Sequence, residues 1–201
     1  MILLIAVVAG IGAGVIRSLA NHTKLQNIQI KSIWLVLVAF LPQWLAFNFS
    51  TTRVMIPDSW IPFILLGSQL LLLVFVWQNR NLPGIKVMGL GLLLNFIVIA
   101  FNHGFMPLSP ETAQKLIPEG VTVDLAIGER VEYGKDILLP VNETKLWFLS
   151  DIFVLPEWFP NRAAFSAGDI LLGIGSFLLL WSLGSPSPIY SNKEAVHAKD
   201  I

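Results

Sequence analysis

The chain has 201 residues, 55% of them hydrophobic and only 13% charged, whereas a soluble domain is nearer a quarter charged. One soluble core of this length could not hide so much apolar surface, but lipid as solvent removes the difficulty, so an integral membrane protein is expected. The zero formal net charge implies no bulk attraction to nucleic acid, and the lack of cysteine excludes disulfides, thiolate metal sites, iron–sulfur clusters and covalent c-type haem.

The first apolar run, about Ile2 to Leu19, could pass for a signal peptide. Its uninterrupted apolar part, Ile2 to Ile16, has no basic residue before it and the first positive charge, Arg17, just after it, so a retained span is expected. Further runs cover about 32–49, 60–77, 85–101 and 167–183. Each is close to the ~20 residues needed to cross ~30 Å of hydrocarbon. The predicted fold class is all-α: a bundle of five transmembrane helices in a single domain over 1–184, with a polar cytoplasmic tail over 185–201.

The connections predict orientation. Arg17, Lys24 and Lys31 follow the first span, Arg80 and Lys86 the third, and Lys193 and Lys199 the fifth. An odd number of spans puts these three regions on one side, which the positive-inside rule makes cytoplasmic. The N-terminus and the segment 102–165 then lie outside. Trp34, Trp77 and Trp181 fall at cytoplasmic helix ends and Trp60 at an outer end, all belt positions. Trp44 is deeper and is expected to pack between helices. Gly10 and Gly14 form a small-xxx-small pair that allows close helix approach, with further glycines at 89, 91, 173 and 175.

The outer segment starts with Ser109-Pro110-Glu111, which reads as an N-cap, a first-turn proline and a first-turn acid. A short helix to about Leu116 is expected, stopped by Pro118 and Gly120. Residues 121–139 suggest either a small hairpin or an ordered loop. The apolar run Leu146 to Leu155, closed by Pro156 and Pro160, is too short to span. Either it lies in the outer interface or it folds back between the fourth and fifth spans. Lipid, the bundle or a membrane-protein partner bound through 146–156 must cover it.

Three stretches occur in order: Asn95-Phe96 leading to Asn102-His103-Gly104-Phe105-Met106-Pro107, then Leu149-Ser150-Asp151-Ile152 with Pro156, then Phe165-Ser166-Ala167-Gly168-Asp169-Ile170. Together they resemble a family of small bacterial multi-pass membrane proteins that carries only a domain-of-unknown-function label. The resemblance implies a bacterial membrane protein and brings no catalytic residues. His103 departs from that pattern, where a small residue is usual.

Five polar residues are the candidate binding groups: Asn95, Asn102, His103, Asp151 and Asp169. Ser166 and Asp169 have capping-box spacing, with Asp in place of Glu or Gln. Asp169 reads either as this cap or as an acid poised for a cation or proton. Asp151 lies in an apolar run, where a charge needs a partner or water. Arg162 could pair with it, or it could join Asp169 and His103 in one outer cation site. Asn95 and Asn102 share a helix face; with Gln43, Ser68 and Gln69 they either hydrogen-bond between helices or line a polar cavity. The sequence leaves any cofactor or metal open. Three functions follow: a non-catalytic subunit, scaffold or assembly factor; a transporter or small-molecule- or lipid-binding protein using the in-membrane amides and outer-face acids; and an outer-face enzyme using Asp151, Asp169 and His103.

Overall fold

A computed structural model of the chain describes residues 2–117, 126–131, 134–159 and 162–185. The expected tail beyond 185, the helix-stopping Pro118 and Gly120, and Pro160 lie outside them. Five apolar helices form where the apolar runs are: α1 (Ile2–Ala20), α2 (Trp34–Asn48), α4 (Ile61–Gln78), α5 (Ile85–Phe101) and α7 (Ala167–Trp181). Short helices α3 (Ser50–Met55) and α6 (Pro110–Leu116) lie between them. Three stretches, Ile2–Ala20, Asp58–Gln78 and Ala167–Gly184, are long and apolar enough to cross a membrane. Trp34–Asn48 and Ile85–Phe101 are shorter apolar helices.

The helices pack as an open row in the order α1, α7, α5, α4, α2. Chain order and spatial order therefore differ: α7 enters between α1 and α5. Glycine permits this. A Cβ on Gly14 would lie 2.6 Å from the Leu180 carbonyl oxygen, and one on Gly10 would lie 3.0 Å from the Phe177 Cα. On the other flank a Cβ on Gly91 would lie 2.5 Å from the Gly168 oxygen. The contact expected of Gly10 and Gly14 is thus made against α7, whereas Gly12 faces open space. Bare backbone on both flanks lets helices gain dispersion contacts without side chains between them. The pairings 10–177 and 14–180 run α1 parallel to α7, so both start at the same end.

Since α1 and α2 sit at opposite ends of the row, the link between them must cross it. Helices spaced 8–10 Å apart make a five-membered row roughly 32–40 Å wide between its outer axes. Residues 21–33 reach at most about 47 Å when extended, and the link turns at 21–22 and at 31–33, with no helix or strand between. Hydrogen bonds hold it along the way. Gln26 N donates to the Leu183 oxygen at 2.7 Å, and Lys31 N donates to Asn79 Oδ1 at 2.8 Å. His22 and Ser32, near its two ends, take left-handed backbone angles.

The opposite end of the row carries a cap. Strand β1 (Met106–Leu108) pairs in parallel with β2 (Asp136–Leu138), and β3 (Phe153–Val154) pairs antiparallel with β4 (Ala164–Phe165). The described part of 121–139 thus pairs with a strand some thirty residues upstream, although Arg130 also bridges antiparallel to Ile137. Ser109 caps α6, accepting from Thr112 N at 3.2 Å, as its sequence predicts. A core of Ala46, Ile61, Leu65, Val98, Ile99, Phe105, Met106 and Ile137 joins the cap to the helices. Leu146 and Leu149 pack on it, and the turn Trp147–Leu149 rests against α5 and α7.

Trp44 corrects the sequence reading. It is substantially exposed and meets Phe49 edge-on at 4.7 Å, so it packs with a local aromatic ring instead of between helices. At the end away from the cap, Arg17 lies over Trp181 and Arg80 over Trp77, with guanidinium carbons 4.4 and 4.8 Å from the ring centres.

Candidate functional site

The start of α7 builds one polar group. Ser166 Oγ accepts from Asp169 N at 3.0 Å, and Ser166 N donates back to Asp169 Oδ2 at 3.1 Å, completing the capping box. The remaining valences reach α5. Asn95 Nδ2 donates to Asp169 Oδ1 at 3.0 Å, and Ser166 Oγ donates to Asn95 Oδ1 at 2.9 Å. Asn95 is therefore an interhelical residue, the first of its two sequence readings, and it is buried. Such bonds contribute about 0.6–2 kcal/mol each between membrane helices. Gly168 makes the arrangement possible, because a Cβ there would lie 2.0 Å from Asn95 Oδ1.

The second polar group belongs to the cap. Met106 N donates to the Lys135 oxygen at 3.1 Å, and Asp151 N donates to the Pro107 oxygen at 3.3 Å. Strand β1 thus holds both residues from either side. Lys135 Nζ then lies 2.8 Å from Asp136 Oδ1 and 2.5 Å from Asp151 Oδ2. Asp151 is 1% exposed, and its other oxygen, Oδ1, has no hydrogen-bond donor among the described residues. Burial pushes the Asp151 carboxyl up to about 7, against the pull of Lys135 and with a further push from Asp136 and Asp169. Lys135 stays half-exposed, and the partial desolvation of its ammonium would by itself depress it. Asp136, Asp151 and Asp169 override it and hold Lys135 above the ordinary lysine range.

Arg162 does not serve Asp151. Its Nη1 donates to the Lys115 and Ile117 oxygens at 3.3 and 3.2 Å, capping the C-terminal end of α6. Lys135, just ahead of β2, takes that place with its compact ammonium. His103 is exposed in a left-handed conformation just after α5. Among the described residues no group of three or more His, Asp or Glu side chains could hold a metal ion. The grouping of Asp151, Asp169 and His103 around a cation is corrected accordingly: Lys135 supplies the positive charge between the two acids. Asn102 is buried, and it clamps the cap to α5. Its Nδ2 donates to the Val98 and Lys145 oxygens, both at 2.8 Å, while Oδ1 accepts from Lys145 N at 2.9 Å.

Lys135 and Asp169 share the wall of a cleft of about 200 Å³, with Ile2, Leu3, Leu155, Phe165 and Leu172. Sequence reasoning missed Lys135. It sits in a loop of mixed charge, and only the parallel pairing of β1 with β2 brings it to Asp151.

These features define a mostly helical protein with helices suited to a membrane and a small strand-containing cap. The chain belongs to the family of unknown function DUF5317, whose model matches residues 27–181. This bears out the resemblance drawn from the sequence. An uncharacterized protein of Thermotoga maritima is 27% identical over 179 residues, covering 88% of this chain and 86% of that protein. No solved structure matches the chain.

Proposed function

We propose that this is a non-catalytic bacterial inner-membrane protein, with all five apolar helices spanning, the N-terminus and cap outside, and the C-terminus in the cytoplasm. In this reading it serves as a subunit, scaffold or assembly factor, and the cap is its docking surface. One observation carries the reading: the cap displays Trp147, Phe148 and Trp158 at 49%, 53% and 81% exposure. Meanwhile Asn95, Asn102 and Asp169 are engaged in hydrogen bonds within the fold. Exposed aromatics on a scaffold held rigid from within suit recognition of a partner. The arginine–tryptophan stacks at the other end, Arg17–Trp181 and Arg80–Trp77, support a cytoplasmic interface there.

The lack of cysteine makes topology easy to test. A Glu143→Cys variant should react with an impermeant maleimide in intact cells, and Lys24→Cys only after permeabilisation. The reverse pattern would invert the topology. A photo-crosslinker at Trp158 should give one protein adduct of constant mass at stoichiometric yield. Adducts to lipid alone would overturn the docking reading.

A second reading is a lipid-binding protein, and the cleft between Lys135 and Asp169 favours it. The enzymatic reading has less to stand on: Asp151 is bound to Lys135 and His103 is exposed.

A further inference from the structure

The Lys135–Asp169 cleft does not end at the cap. Ile2 lines it and also lines an apolar groove of about 370 Å³ between α1 and α7. The groove wall is Ile5, Ala6, Ile170, Gly173, Ile174 and Phe177, with almost no polar surface. On α7 these positions follow Asp169 at helical spacing, so the groove extends roughly 12 Å down the helix from the carboxylate. Its volume is within the range of about 300–1,000 Å³ usual for small-molecule sites. Gly173 and Ala6 form its floor, where the helices pack closely: a Cβ on Gly173 would lie 3.2 Å from Ile2 Cγ2 and 3.4 Å from the Ala6 Cβ.

A charged cleft leading into an apolar groove matches a molecule with a polar head and a hydrocarbon tail. The charges narrow the head. Among the described residues, Lys135 pairs with both Asp136 and Asp151, and Asp169 adds a further carboxylate to the same cleft, so the balance of these four side chains is negative. A purely anionic head would meet that excess. A zwitterionic head bearing an ammonium can place it on Asp169, whose two oxygens each accept only one described hydrogen bond and retain lone pairs. The phosphate of such a head then meets the half-exposed Lys135, which lines the same cleft.

We infer that this site binds one aminophospholipid of the phosphoethanolamine type, the head between Lys135 and Asp169 and one acyl chain in the α1–α7 groove. The inference deepens the lipid-binding reading and is independent of partner docking through Trp158.

Native mass spectrometry of the full chain, titrated with dioleoylphosphatidylethanolamine, dioleoylphosphatidylglycerol or soluble O-phosphoethanolamine, tests it. The expected result is one phosphatidylethanolamine per chain, held at least tenfold more tightly than phosphatidylglycerol. Ala6→Leu and Ile174→Trp fill the groove from its two walls and should weaken phosphatidylethanolamine tenfold or more, leaving soluble O-phosphoethanolamine unchanged. Asp169→Asn should erase the preference for phosphatidylethanolamine, because it removes the negative charge that the ammonium needs. Should that variant not fold, the two groove variants still decide the matter. Equal retention of both lipids would overturn the headgroup assignment while leaving lipid binding itself intact. No retained lipid, or groove variants that bind like the parent, would overturn the site altogether.

Discussion

Asn79, at the C-terminal end of α4, grips the backbone of Lys31 with both ends of its amide: Oδ1 accepts from Lys31 N at 2.8 Å, and Nδ2 donates to the Lys31 oxygen at 2.9 Å. The same nitrogen also donates to the Phe75 oxygen four residues back. Asn102 repeats the pattern at the end of α5, with Lys145 as its target and Val98 as the carbonyl four residues back. The two clamps sit on neighbouring helices at opposite faces of the bundle, one holding the crossing link and one holding the cap. An amide suits this task because it is donor and acceptor at once.

Asn79→Ala and Asn102→Ala should each lower stability by about 1–3 kcal/mol, since each strands buried backbone groups of both segments. Asn79→Asp should not restore it. A carboxylate can accept from Lys31 N but cannot donate to the Lys31 or Phe75 oxygens. Thermal unfolding in mild detergent would show this. An aspartate variant as stable as the parent would contradict the donor role.

Acidity should stabilise the cap through Asp151. Its carboxyl titrates near 7 in the fold against an ordinary value of 3.8, so between those values the native state holds more protons than the unfolded one. Stability linked to this group therefore declines as pH rises from about 4 to about 7, and it is level outside that window. Asp151→Asn should flatten the decline in a series of detergent melts. A slope that persists in the variant would assign the effect to another group.

Lys135→Met should destabilise the cap most at neutral pH and above. It leaves a buried carboxylate without its cation, which costs about 3–5 kcal/mol. At pH 5 the carboxyl can take up a proton instead, so the loss should shrink. Limited proteolysis of the cap at the two pH values reads the difference, and equal sensitivity at both would argue against the pair.

Gly168→Ala should cost about 1–3 kcal/mol, because its methyl would meet Asn95 Oδ1 and force the α5–α7 seam apart. Gly12→Ala, which meets nothing within 4 Å, should be neutral or mildly stabilising. Comparing melting temperatures of the two variants separates seam glycines from incidental ones.

The positions of α1, α2, α4, α5 and α7 were legible in the sequence because apolar runs and their breaks are local properties. Local chemistry also announced the caps at Ser109 and Ser166, since a capping box needs only residues three apart. The family resemblance rested on such short stretches too. Which helix lies beside which was not legible. Apolar faces are interchangeable in composition, and α7 enters between α1 and α5 through backbone contacts at Gly14 and Gly91, glycines whose spacing announces a close approach but not its partner. The same holds for the site. The sequence singled out Asp151 and Asp169 as acids out of place, and it offered Arg162 and His103 as companions. Tertiary structure chose Lys135 and Asn95, because the partner of a buried charge is decided by strand pairing and helix crossing across dozens of residues, not by spacing along the chain.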